Sequence, residues 1–437
     1  MLALAAEPED PTPNLDEVGL VAAAMGTALT PDQHAACLAL LAAIDQGQRA
    51  LVLTGPAGSG KTTLVRALLR LLRGRGMKGK LCAPTGKAAS RIRDVTGEDA
   101  TTLHAALFRG VGQKADGSPV FFDPEAPCEN NQVLVVDEAS MVDAWLYRQT
   151  MDKIPVRSLA LWCGDREQLP PVSGPWGPDF ETPTAALTTV CRQALDSPIL
   201  HAATEVRLGR RMPEGALGAA YLKERTDFSA VVDRLVEARQ RGQDTTVLTW
   251  RNEMRQRLNH AVRKRLGRTE VLEPDDRLLI RGNNPSLRRM NGEVLVVESM
   301  VPWAETPLGN AAVRTQRATP FEAGLLEVRS RCGVTALVHP TLFGVPSAEY
   351  RATLYFKGTR DPNPQFLSAT APLRHLHVDY GEAMTVHAAQ GSEFDHVVFV
   401  LDSASRWIAQ QDVAMARRLC YTAVTRAKQS IYVGCFS

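Results

Sequence analysis

LVLTGPAGSGKT, residues 51–62, decides the fold. LVLTG reads as a short buried strand, and its glycine-rich turn feeds a helix beginning near Gly60. Gly55-Pro56-Ala57-Gly58-Ser59-Gly60-Lys61-Thr62 matches GxxxxGK[ST] in the strand–loop–helix context that pattern needs. Glycines let a backbone wrap phosphates closely, and amides at a helix start point at negative oxygens. Gly58, Ser59, Gly60, Lys61, Thr62 and Thr63 are therefore the expected nucleotide cradle, with ATP and Mg2+ as its cofactors. Lys61 suits the β- and γ-phosphates, and the Thr62 hydroxyl suits the metal.

The same texture repeats outward. KLCAPT (80–85), VLVVDEA (133–139) and SLALWCGD (158–165) are further strand-like runs, with helical segments between them. Valine- and leucine-rich strands alternating with helices imply a parallel sheet covered on both faces. Asp137 and Glu138 follow VLVV, at the carboxyl end of a strand. Asp137 is expected to hold magnesium and Glu138 to polarise an attacking water. An isolated acidic pair is as readily a solvated strand end, so this reading leans on the phosphate loop upstream. In CGDREQLPPV (163–172), Asp165 and Gln168 are candidates to sense the γ-phosphate. FRGVGQKADGSPVFFD (108–123) reads as a small inserted hairpin with its turn near Ala115–Ser118. Phe108, Phe121 and Phe122 flank it and suit either base stacking or hairpin packing.

Upstream, LTPDQHAACLALLAAIDQG gives a capped helix, with Thr30 as N-cap, Pro31 in the first turn and Gly47 as its stop. Residues 1–17 are rich in Pro, Asp and Glu and read as a flexible leader. A second α/β unit starts near 196, with strands at TTVLTW (245–250), DHVVFVLD (395–402) and SIYVGC (430–435). RNEMRQRLNHAVRKRLGR (251–268) is a basic helix between them, either a DNA-facing element or a solvated charged face. From about 270 to 375, segments such as DRLLIRGN, GEVLVVESM and ATLYF look like short antiparallel strands, a small β-barrel inserted into the second unit. Two linked α/β units make a cleft. Arg192 and Arg426, unremarkable in local context, become candidates to stabilise phosphoryl charge across it. His375 and His377 share one strand face, but no cysteine or carboxylate completes a metal set, and packing is the favoured reading.

Composition narrows the class. The 437 residues are 44% hydrophobic and 22% charged, which excludes a disordered, collagenous or disulfide-framework chain. Fifty basic against 48 acidic residues leave +2, so nucleic-acid binding would need a local basic channel. Eight cysteines without a CxxC pair point to a reducing compartment. No apolar run reaches membrane-spanning length and no signal peptide is evident, so the expected setting is cytoplasmic, with no membrane contact.

Taken together, GPAGSGKT, APTGKAA, TTLH, VVDEAS, GDREQLPPV, CRQ, TVHAAQGSEFD and YTAVTRAK resemble the ordered motifs of superfamily 1 helicases, and more narrowly the superfamily 1B RecD-like and Dda-like enzymes. They run from about residue 29 to 428, nearly the whole chain. The resemblance implies two RecA-like parallel-sheet modules with a hairpin insertion and an SH3-like β-barrel insertion. Its boundaries would be a first module over 18–195 carrying the hairpin at 108–123, a second over 196–285 and 376–437, and the barrel over 286–375. It implies an ATP-dependent helicase moving 5′ to 3′ on single-stranded DNA and opening duplex DNA. The alternative is a DNA-stimulated translocase that strips proteins and unwinds weakly. Gln33 resembles the adenine-reading glutamine. Arg192 and Arg426 resemble the motif IV and motif VI arginines, and Gln390, Gly391 and Glu393 the motif V stretch. Pro84, Thr85, Thr102, His104, Thr385 and His387 resemble DNA-contact positions. Ala388 stands where relatives often carry lysine. The implied partners are single-stranded and junction DNA, with a single-strand binding protein or replication and repair proteins, and the implied state is a monomer.

Overall fold

Apolar runs become strands where both their faces can be covered. In this computed structural model, which describes residues 17–26, 28–108, 110–113, 119–122, 129–190, 197–282, 284, 287, 289–314, 324–343 and 375–436, the first such run is β1 (Ala50–Thr54). After it come β2 (Lys78–Ala83), β3 (Ala100–Thr102), β4 (Gly110–Gln113), β5 (Pro119–Phe122), β6 (Gln132–Val136), β7 (Leu159–Gly164) and β8 (Ala185–Ala186). Six of them form a sheet in the order β3-β2-β6-β7-β1-β8, and every neighbouring pair is parallel. Leu51 and Leu53 pack on one face with Leu64, Leu68 and Leu72 of the helix Lys61–Gly74, whereas Val52 packs on the other with Trp162 and Val136. Burying each leucine is worth about 2 kcal/mol, and Leu68→Ala would cost about 2–5 kcal/mol. β4 and β5 pair antiparallel as the expected hairpin; the turn expected at Ala115–Ser118 lies outside the described residues.

The second half repeats this wiring. β9 (Gly215–Leu217), β10 (Tyr221–Thr226) and β11 (Thr245–Thr249) precede an inserted group of strands, and β17 (Ala383–Thr385), β18 (Phe394–Leu401) and β19 (Ala427–Phe436) come after it. The sheet order is β17-β11-β18-β19-β10-β9. Position by position, β10, β11, β17, β18 and β19 occupy the places of β1, β2, β3, β6 and β7, in the same chain order. Only the outer strand differs, since β9 is antiparallel to β10.

Between β11 and β17 lie β12 (Arg277–Ile280), β13 (Val294–Pro302), β14 (Leu326–Ser330), β15 (Thr335–Val338) and β16 (Val378–Tyr380), an antiparallel sheet in the order β15-β14-β13-β12-β16. Its core is Leu278, Ile280, Val297, Val328, Val338 and Val378. The sheet thus spans 277–380, wider at both ends than the expected 286–375, because β12 and β16 pair with each other across the insertion's root. The strand expected at ATLYF, residues 352–356, lies outside the described residues.

At the other end, Glu17 opens the helix Glu17–Ala24, and the remainder of the expected leader is outside the described residues. Thr30 caps the helix Pro31–Asp45 in a capping box with Gln33. No described helix is long and apolar enough to cross a membrane.

Candidate active site

The loop after β1 cannot be built from ordinary residues. Gly58 and Gly60 hold φ of 77° and 79°, left-handed values that a side chain disfavours. Gly60 starts the helix Lys61–Gly74 with no side-chain cap, which leaves the first amides of that helix available to an anion. The Lys61 ammonium lies back over its own loop, donating to Gly55 O at 2.6 Å and Pro56 O at 3.1 Å.

This loop forms one wall of a cleft of about 490 Å³ between the two units. Of the residues expected at the nucleotide, Gly58, Ser59, Gly60, Lys61, Thr62, Asp137, Glu138, Gln168, Glu393 and Arg426 line it. Asp137 is half-buried at the cleft wall; desolvation and the neighbouring Glu138 charge push its carboxyl above the usual range. Glu138 adopts a left-handed φ of 51°, a conformation costing about 1–2 kcal/mol that turns its side chain off the strand end. Its Oε1 is 3.7 Å from Arg91 Nη1 and 4.0 Å from Arg426 Nη1. Arg91 also pairs with Glu393 at 2.5 Å. Arg426 is held by its own unit, donating to Thr422 O, Ser392 O and Thr425 Oγ1. Gln168 is buried, and its Oε1 has no hydrogen-bond partner among the described residues.

Other expected residues stand back from the cleft wall. Gln33 Nε2 donates to Ser59 O at 3.1 Å while its Oε1 accepts from Thr30 N at 2.9 Å, so this amide braces the phosphate loop from behind. Asp165 accepts from the Tyr421 hydroxyl, and Gln390 donates to Leu169 O at 2.9 Å. Gly391 packs on the helix Gly86–Thr96, where an added Cβ would lie 3.0 Å from Thr85 Oγ1. Thr63 lies in the first turn of the helix Lys61–Gly74. Arg192 falls outside the described residues.

The DNA-contact candidates sit at carboxyl ends of neighbouring strands. Pro84 and Thr85 follow β2, Thr102 ends β3, and Thr85 and Thr102 cap the helices after them. Thr385 ends β17, and its hydroxyl accepts from Ala388 N. Burial lowers the pKa of both His104 and His387, so both are neutral at neutral pH. They therefore suit hydrogen bonding better than phosphate neutralisation. The helix Asn252–Arg265 is not a spare basic face. Arg251, Arg255, Arg263, Arg265 and Arg268 pair with Asp402, Asp379, Asp276, Asp233 and Asp276, and Arg257 lies over Phe228.

Two features of the site are not legible in the sequence. Arg91 is hidden in an ordinary amphipathic helix, Gly86–Thr96, although it lines the cleft. Tyr421 lies inside the motif YTAVTRAK, where the arginine is the more conspicuous candidate.

Family comparisons follow the same division. The profile described as an AAA domain matches residues 28–228, and that of a UvrD-like helicase C-terminal domain matches 380–433. The chain is 30% identical over 407 residues to the ATP-dependent RecD2 DNA helicase of Deinococcus radiodurans, covering 88% of this chain and 47% of that protein. It is 24% identical to the ATP-dependent DNA helicase dda of Enterobacteria phage T4, covering 92% of this chain and 98% of that one. The chain belongs to the superfamily 1 helicases related to RecD and Dda. The chain thus spans about half the length of the Deinococcus relative. A Bacteroides Pif1 helicase, solved with ADP-AlF3 and single-stranded DNA, shares the superfamily 1 helicase fold at TM-score 0.51 and 16% identity, over 93% of this chain and 92% of that one.

Proposed function

We propose that this protein is an ATP-dependent DNA helicase that moves 5′ to 3′ on single-stranded DNA and separates duplex DNA at junctions. The observation that carries the proposal is the cleft. It joins the phosphate loop, the Asp137–Glu138 pair and Gln168 of the first unit to Arg426 of the second. The polarity rests on family membership, since site chemistry is blind to direction.

These residues supply the chemistry. ATP phosphates draw Lys61 from its two loop carbonyls, an exchange of neutral acceptors for charged ones. Glu138 accepts a proton from the attacking water, and its turned backbone points the carboxylate at the cleft. Gln168, buried with an unused acceptor, orients that water or senses the γ-phosphate. Arg426 approaches as the units close and stabilises charge on the transferred group. Arg192 is assigned the same charge-stabilising role. Thr62 and Asp137 fit magnesium: both are hard oxygen donors, and a cation relieves the crowding of Asp137 against Glu138. The chemistry such an ion would supply there is neutralisation of phosphate charge. Gln33 reads the adenine edge by exchanging a loop contact for the base.

Single-stranded DNA runs over Pro84, Thr85, Thr102 and His104 of the first unit and Thr385 and His387 of the second. Alternating grip between the two yields stepping, and the β4–β5 hairpin parts the strands. The sheet over 277–380 acts as the SH3-like insertion. The hydrogen bond from Leu376 N to Leu337 O at 2.9 Å supports closure, because it links the segment before β16 to β15 at the far edge.

The test is steady-state ATP hydrolysis with magnesium, alone and with matched single-stranded DNA or RNA. Strong stimulation by DNA is expected. No hydrolysis, or stimulation by RNA alone, would overturn the proposal.

A further inference from the structure

The two units touch behind the cleft as well as across it, and one of the side-chain atoms that join them there bonds both to the phosphate loop and to the Gln168 turn. The Tyr421 hydroxyl, on the helix Val413–Val424, accepts from Ala57 N at 2.9 Å and donates to Asp165 Oδ2 at 2.6 Å. Tyr421 is 2% exposed, so water offers its hydroxyl no substitute partner. A backbone amide can only donate and a hydroxyl has one proton, so the relay runs amide to hydroxyl and hydroxyl to carboxyl oxygen. Tyr421 and Asp165 stand outside the residues lining the cleft, whereas Ala57 is one of them, so the relay runs from the cleft wall to the layer behind it.

Both ends lead to the chemistry. Ala57 is the third residue of the phosphate loop. Asp165 Oδ1 accepts from Glu167 N and Asp165 O accepts from Gln168 N, so the carboxylate shapes the turn that presents Gln168 to the cleft. On the other side, Arg426 donates to Thr422 O, one residue beyond Tyr421. The hydroxyl and the arginine therefore travel on one rigid piece. A phenylalanine would fill the same space, so packing alone does not account for the oxygen.

We infer that Tyr421 is a positioning residue for ATP hydrolysis: its hydroxyl, delivered by the second unit, sets the phosphate loop and the Gln168 turn in register together, so that the site is complete only when Arg426 is in reach. This rests on the ATPase reading above.

Loss of the hydroxyl does not undock the turn. Arg417 pairs with Glu167 at 2.9 Å, Leu169 N donates to Thr422 Oγ1 at 3.1 Å, and Gln390 holds Leu169 O. Tyr421→Phe should therefore fold and bind ATP with KM within about threefold of the parent. Its DNA-stimulated kcat should fall roughly 30-fold, the scale of a sub-ångström misplacement in a preorganised site. Asp165→Asn should fall similarly, and the double variant no further than the worse single. Arg417→Ala, which removes a neighbouring contact between the units, should keep kcat within about twofold. Unchanged kcat in Tyr421→Phe overturns the inference. So does an equal loss in Arg417→Ala, or losses that multiply in the double variant. A parent protein that hydrolyses no ATP would instead remove the ATPase reading itself, a result separable from all of these.

Discussion

The two six-stranded sheets carry the same wiring and divide the labour through the segments that leave their equivalent first strands. After β1 the chain runs through left-handed glycines into a helix whose first amides no side chain satisfies. After β10 it runs into the helix Phe228–Gln240, where Asp227 accepts from Ala230 N at 2.9 Å. One helix start is left available to a phosphate; the other is closed by its own carboxylate, which would also repel one. The second unit brings its functional groups from elsewhere, at the end of the helix Val413–Val424 and in the turn after β17. A repeated fold thus yields one nucleotide-binding face and one face that completes it, and the difference comes down to a few residues at a strand end.

The most drastic way to break that asymmetry is to remove a charge on either side of the cleft. Lys61→Ala and Arg426→Ala should each lower kcat about 10³-fold, the scale of losing a phosphate-directed cation. Nucleotide affinity should fall mainly in the first variant, and DNA affinity at matched salt should hold in the second. A loss of DNA affinity with full turnover in Arg426→Ala would move that arginine to the DNA track. The gentler perturbation is Asp227→Ala in the second unit. It should lower stability by about 1 kcal/mol, as loss of a helix cap does, and keep turnover within about twofold. A large drop in turnover would mean that the capped helix start is not the inert counterpart it resembles.

Much of this is legible in the sequence because local chemistry dictates it. The phosphate loop needs glycine where φ is positive, Thr30 announces its helix by the residues around it, and uninterrupted Val and Leu runs fit only doubly covered strands. The pairing of β4 with β5 is visible as two short strand-like runs close together in the chain. The hidden features depend on residues far apart in the chain. Nothing near Tyr421 says that its hydroxyl meets Ala57 and Asp165. Nothing in RNEMRQRLNHAVRKRLGR says that its arginines will find Asp276, Asp379 and Asp402. The inserted sheet reaches beyond its expected limits because the pairing of β12 with β16 joins residues about a hundred positions apart.

Closure of this cleft on ATP should drive motion in one direction along DNA. The decisive experiment is unwinding of a duplex with a 5′ single-stranded tail, beside the same duplex with a 3′ tail, in the presence of ATP, magnesium and a trap strand. The 5′-tailed substrate should open, the 3′-tailed one should open far less, and Lys61→Ala should abolish both. Preferential opening of the 3′-tailed duplex, or opening that persists in Lys61→Ala, would refute directional stepping powered at this cleft.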